Sequence, residues 1–162
     1  MFEAVMVMGV SGVGKSTVGQ MIADIYGGVF LDGDDYHPPG NVAWMAQGKP
    51  LTDEMRWPWL TRLADEVNAE RAHGMTVFAC SALRKSYRDH LRAAIPDLRI
   101  VYLEAQEEVI AKRLAQRTDH FMPVSLLRSQ FATLEPPADV FARIDMHQPP
   151  ELVAETLGQI FA

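Results

Sequence analysis

The 162-residue chain has one cysteine, Cys80, so no internal disulfide framework is possible and nothing points to an oxidising compartment. It lacks a run of apolar residues long enough to span a membrane. The apolar start Ala4–Met8 is five residues, has no charged segment before it and runs straight into a glycine-rich loop. An excess of positive charge is also missing. Lys and Arg number 15 against 21 Asp and Glu, a net charge of -6, which excludes a general nucleic-acid binder but not a protein with a local cation cluster for a small anion. No His/Cys cluster has zinc spacing, and no repeat, linker or low-complexity tract interrupts the chain. These absences lead us to expect a cytoplasmic enzyme or binding domain, one domain over residues 1–162, with neither nucleic acid nor membrane as partner.

What is present is alternation. Short apolar runs at Ala4–Met8, Val29–Leu31, Met75–Cys80, Arg99–Leu103 and Phe141–Ile144 read as strands, and amphipathic stretches lie between them. Met55, Trp59, Leu63 and Val67 recur every four residues, with Asp53 in the position of an N-cap and Gly74 beyond the end. Tyr87, Leu91 and Ile95 form a second stripe, and Pro149–Phe161 reads as a closing helix. Strands alternating with helices predict an α/β fold: a three-layer α/β/α sandwich with a five-stranded, mostly parallel sheet covered on both faces.

The first strand leads into Gly9-Val10-Ser11-Gly12-Val13-Gly14-Lys15-Ser16, followed by Thr17, a full match to the P-loop pattern G-x-x-x-x-G-K-[ST]. Glycines let the backbone wrap a polyphosphate and aim successive N–H groups at its oxygens, and the following helix adds its positive end. Lys15 can reach the β- and γ-phosphates, and the Ser16 hydroxyl can ligate Mg²⁺. A regulatory GTPase would need a guanine-reading N-K-x-D, which the chain lacks. Its one D-x-x-G, Asp24–Gly27, ends the first helix, where no γ-phosphate can be sensed.

The second strand ends in Asp32-Gly33-Asp34-Asp35-Tyr36-His37, carboxylates at the sheet edge where open parallel sheets bind ligands. Two such carboxylates can divide labour, Asp32 near Mg²⁺ and Asp34 near an acceptor hydroxyl. A plain solvated turn has the same composition; the P-loop beside it favours the functional reading.

Together these blocks resemble the gluconokinase family of small P-loop kinases. The resemblance is carried by Asp32-Gly33-Asp34, His37-Pro38, Asn41, Met45, Gly48, Pro50-Leu51, Asp53, Arg56 and Pro58-Trp59-Leu60. It continues through Cys80-Ser81-Ala82-Leu83-Arg84-Lys85, Tyr87-Arg88-Asp89, Arg113, Arg117, His120-Phe121, Ser129-Gln130-Phe131, Thr133-Leu134-Glu135 and Gln148-Pro149. It covers essentially the whole chain. It implies a fold similar to nucleoside-monophosphate and shikimate kinases, transfer of the ATP γ-phosphate to the 6-hydroxyl of D-gluconate, and a homodimer. Met55, where the family pattern has a second Asp, and Asp119, where a glycine is common, are departures.

Arg84, Arg88 and Arg92 recur at i, i+4 and i+8 just after a strand end. A guanidinium fork suits the carboxylate of a sugar acid, so Arg84 and Arg88 are substrate candidates, with Ser81 beside them by resemblance, whereas Arg92 reads as a solvated surface residue. Arg56 is either a further carboxylate ligand or the ion-pair partner of Asp53. Arg113 and Arg117 lie at a helix C-terminus, where the dipole alone favours cations. In a kinase the same pair can cover the phosphates, with residues 113–123 as a lid and 38–73 as substrate-binding helices. By resemblance, His37 binds a substrate hydroxyl, His120 anchors the lid and Gln148 lies beside the adenine. The expected catalytic set is therefore Lys15, Asp34 and Arg117, with ATP and Mg²⁺. The rival readings are a P-loop kinase for a shikimate-like or nucleotide acceptor, and a nucleotide-dependent regulator without turnover.

Overall fold

A computed structural model of the chain describes residues 2–116 and 124–161. Five strands form one sheet: β1 (Ala4–Met8), β2 (Val29–Asp32), β3 (Thr76–Ala79), β4 (Arg99–Glu104) and β5 (Ala142–Asp145). Their order is β2-β3-β1-β4-β5 and every pairing is parallel. Helices α1 (Lys15–Tyr26), α2 (Pro39–Ala46), α3 (Asp53–Glu70), α4 (Lys85–Ala94), α5 (Glu107–Ala115), α6 (Val124–Thr133) and α7 (Pro150–Ile160) connect and cover it.

The strand alternation of β1 explains the three layers. Val5 and Val7 point into one core with Val18 and Ile22 of α1 and Val153 and Leu157 of α7. Ala4, Met6 and Met8 point into the other, with Leu60, Leu63 and Val67 of α3 and Tyr87 and Leu91 of α4. All five β1 residues are fully buried, as a central parallel strand requires.

One expectation about local structure needs correction, and two further local features add to the sequence reading. The α3 N-cap is Thr52, whose hydroxyl accepts from the Met55 N–H at 3.3 Å, and Asp53 is already in the first turn. Residues 33–36 form a short 3₁₀ turn capped by the Asp32 carboxylate. Helix α6 was not read from periodicity: among its described side chains only Leu126 and Leu127 are buried, too few for a stripe.

Register places the site. Asp32 pairs with Ala79, and Ala79 with Val7, so three strands end in line. The chain segments leaving them are the P-loop, the acidic turn and Cys80-Ser81. Among the described residues, no helix is long and apolar enough to cross a membrane.

Candidate active site

The three strand ends open into a cavity of about 680 Å³. Ser11, Gly12, Gly14, Lys15, Ser16 and Thr17 form one wall, and Asp32, Asp34, His37, Arg56 and Ser81 face it. Eleven of the candidate residues therefore meet in one space.

Gly14 precedes α1 with φ of 113°, a backbone conformation closed to most side chains, and no side chain caps the helix. The first-turn N–H groups are thus aimed at the cavity, as an anion site requires. Gly9, Val10 and Val13 are P-loop residues set behind the lining. Val10 and Val13 are buried in the core, and the carbonyls of Gly9 and Val10 accept from Lys15 Nζ at 3.0 and 2.9 Å. Burial lowers the Lys15 pKa, while the nearby charges of Asp34 and Asp32 hold it up.

The acidic turn is built by close packing. A Cβ on Gly33 would lie 2.3 Å from the Ala79 carbonyl oxygen, so only glycine fits between the two strands there. The Gly33 carbonyl accepts from the Trp59 indole at 2.8 Å. Asp32 accepts the Asp34 N–H at 3.0 Å, which favours its ionised form, yet burial dominates and raises its pKa, helped by Asp34 and Asp35. Asp34 is the more open of the two: its side chain is 81% exposed, with His37 Nε2 3.6 Å from Oδ1.

His37 is buried and stacked on Trp59, ring centroids 3.9 Å apart. Asn41 Nδ2 donates to the Met55 carbonyl at 3.0 Å and meets His37 Nδ1 at 3.2 Å. An amide nitrogen there makes Nδ1 the acceptor and leaves the proton on Nε2, facing Asp34.

Arg56 is placed where either expected role is open to it. Its guanidinium lines the cavity, donates to the Tyr87 hydroxyl at 3.0 Å and lies 4.0 Å from Asp53 Oδ1. Tyr87 in turn donates to Asp53 at 2.6 Å, and burial together with that bond pushes its pKa up to about 12. Arg84 is exposed and lines an adjoining cleft with Asp53, Arg56 and Tyr87, not the main cavity.

Arg88 is elsewhere. It is 6% exposed, and its guanidinium donates to the carbonyls of Ala82 at 2.8 Å, Leu83 at 3.1 Å and Glu135 at 2.8 Å. The stripe that suggested a substrate clamp reflects a buried anchor at this position, because one helical face carries both solvent-side and core-side arginines. Arg92 is also bound to backbone, donating to the Asp139 carbonyl at 2.6 Å. Arg113 ties α5 to the Met146 carbonyl, and neither it nor the half-buried Gln148 lines the cavity. Arg117 and His120, and with them most of the expected lid, lie outside the described residues.

Helix α6 contributes wall residues to which no role was given from sequence: Leu126, Ser129, Gln130 and Thr133. Their blocks stand out in the sequence only through the family resemblance. Cys80 also lines the cavity, but burial pushes its thiol pKa up to about 12, which makes it inert packing. No cluster of three or more His, Cys, Asp or Glu suited to a metal occurs among the described residues. The Ser16 hydroxyl and the Asp32 carboxylate both lie on the cavity wall. That set fits Mg²⁺ arriving with a nucleotide, since Mg²⁺ commonly takes one or two carboxylates and completes its shell with phosphates and water.

Comparison with known proteins agrees with this geometry. An AAA domain family model matches residues 5–137. The thermosensitive gluconokinase of Escherichia coli K12 is 44% identical over 97% of this chain and 86% of its own length. A crystal structure of a gluconokinase from Sinorhizobium meliloti superposes with a TM-score of 0.87, at 45% identity over 98% of this chain and 91% of that one. The Mycobacterium tuberculosis APS kinase, at 16% identity over 98% of this chain, 96% of its own and a TM-score of 0.70, shares the fold. Identity of 44% along nearly the whole chain goes far beyond what a shared fold imposes, and this chain belongs to the gluconokinase family.

Proposed function

We propose that the chain transfers the γ-phosphoryl group of ATP to the 6-hydroxyl of D-gluconate, giving 6-phospho-D-gluconate and ADP. The observation that carries this reading is the shared cavity, in which the P-loop, the acidic turn and Arg56 face one another.

Lys15 and the N–H groups at the start of α1 neutralise the β- and γ-phosphates. Ser16 and Asp32 would hold Mg²⁺, which would supply charge neutralisation for the transfer. Asp34, exposed at the mouth of the acidic turn, accepts the proton of the 6-hydroxyl as its oxygen bonds to the γ-phosphorus. The bond from that phosphorus to the β,γ-bridging oxygen breaks, and its electron pair leaves with ADP. His37, with its one proton on Nε2, offers that donor to a sugar hydroxyl beside Asp34. Arg56 pairs with the gluconate carboxylate, with Arg84 at the rim as a second cation. Arg117 covers the transferring group by analogy with the family, with residues 113–123 as the lid. The working form is a cytoplasmic homodimer with the single domain 1–162.

The test is ADP release with Mg·ATP across gluconate, other aldonates, shikimate, glycerate and nucleoside monophosphates. Stimulation by gluconate with 6-phosphogluconate as product supports the proposal. Turnover on another acceptor alone keeps the kinase and removes gluconate. Silence on every acceptor with retained ATP binding favours a regulator.

A further inference from the structure

The P-loop of this protein is tethered from 119 residues away. Ser11 N–H donates to Gln130 Oε1 at 2.8 Å, and Gln130 Nε2 donates to Ser11 Oγ at 3.1 Å. One carboxamide thus grips both polar groups of the residue at the crest of the loop. The loop needs such a hold. Gly9, Gly12 and Gly14 all have positive φ, and three glycines within six residues leave a large conformational entropy to be lost before the N–H groups converge on a phosphate.

Gln130 is itself firmly placed. Helix α6 ends at Thr133, and the next residues are stitched to the acceptor side of the cavity. Glu135 N–H donates to the Leu83 carbonyl at 2.8 Å, the Glu135 carboxylate accepts the Lys85 N–H at 2.8 Å, and Arg88 binds the Glu135 carbonyl. The second half of α6 is therefore a strut from the loop after β3 to the P-loop, with Gln130 as its contact.

We propose that Gln130 is a positioning residue for nucleotide binding: by holding Ser11 it pre-sets the P-loop in its phosphate-receiving shape. The inference rests on the kinase reading for its site but not on the identity of the acceptor. Its tether engages the Ser11 N–H and leaves the N–H groups nearer α1 for the phosphates. Losing it acts through the loop's freedom, so the effect falls on nucleotide affinity first.

The experiment uses Gln130→Met, which keeps the side chain's length and removes both bonds, with Mg·ADP as probe by calorimetry. Two lost neutral hydrogen bonds predict ADP binding weaker by about fivefold to tenfold. The KM for ATP rises in proportion, and the KM for gluconate stays within about twofold. Combined with Ser11→Ala, the double variant binds ADP no worse than Gln130→Met alone, since Ser11→Ala removes only a bond that Gln130→Met has already lost. Unchanged ADP affinity in a folded Gln130→Met protein, or equal losses for both substrates, overturns the proposal. Should Gln130→Met melt below assay temperature, Gln130→Asn, too short to reach Ser11, is measured by the same criteria. Because the ADP readout needs no acceptor, a wrong acceptor assignment would appear only in the turnover assay.

Discussion

The imidazole of His37 lies on the indole of Trp59, with planes 22° apart, while the same indole donates its N–H to the carbonyl of Gly33. One buried tryptophan of α3 therefore holds both ends of the acidic turn, and Asp34 is carried between them. Trp59→Phe keeps an aromatic surface for His37 but leaves the Gly33 carbonyl unpartnered, a cost of roughly 1–3 kcal/mol. Chemical denaturation measures that loss, and kcat falls more than either KM because Asp34 is displaced.

Asp34 is the group proposed to take the hydroxyl proton. Asp34→Asn keeps the shape and removes the base, which predicts a kcat lower by about 10²–10⁴ with ADP still bound. Near-normal turnover would transfer the role to Asp32.

Asp32 gives a pH signature in stability. Its pKa is raised in the folded protein, mainly by burial, so the fold disfavours its ionised form. The penalty is absent below the unfolded pKa and fully present once pH exceeds the raised value. Asp32→Asn, whose amide oxygen still accepts the Asp34 N–H, is expected to melt higher than the parent at pH 7 without nucleotide. That gain shrinks toward pH 4, and thermal melts across the range show whether it does. The same variant loses activity.

Arg88 illustrates a cation whose work is structural. Its three carbonyl partners include Ala82, a non-glycine residue held at φ 44° beside Ser81. Arg88→Met leaves those buried carbonyls without their charged donor, at about 2–4 kcal/mol. Urea unfolding checks the magnitude. If stability were unchanged and only the gluconate KM rose, a direct substrate contact would be indicated instead.

Tyr87 orients Arg56, accepting its N–H while donating to Asp53. In Tyr87→Phe both bonds are lost, and Arg56 is aimed only by the Leu51 carbonyl and Asp53. The expected result is a gluconate KM higher by about threefold to tenfold, with the ATP KM unaltered. Steady-state kinetics with each substrate varied in turn separates the two.

By itself the sequence determined the layered α/β class, the P-loop and the acidic turn. These depend on local rules: strand alternation, glycine at positive φ, and chemistry concentrated in short continuous blocks. Ala4–Met8 read as a strand because five apolar residues meet a glycine loop, and the structure has the same bounds. Only the tertiary structure decided which arginines face the cavity. Arg56, Arg84, Arg88 and Arg92 are alike in sequence, yet one lines the site, one stands at its rim, one is buried on carbonyls and one binds a surface loop. A long side chain's direction is set by what packs around it, and α3, α4 and the segment after α6 meet only on folding. The same holds for Gln130 and Ser11: a bond across 119 residues leaves no local periodicity, so it exists as a relation only once α6 lies against the P-loop.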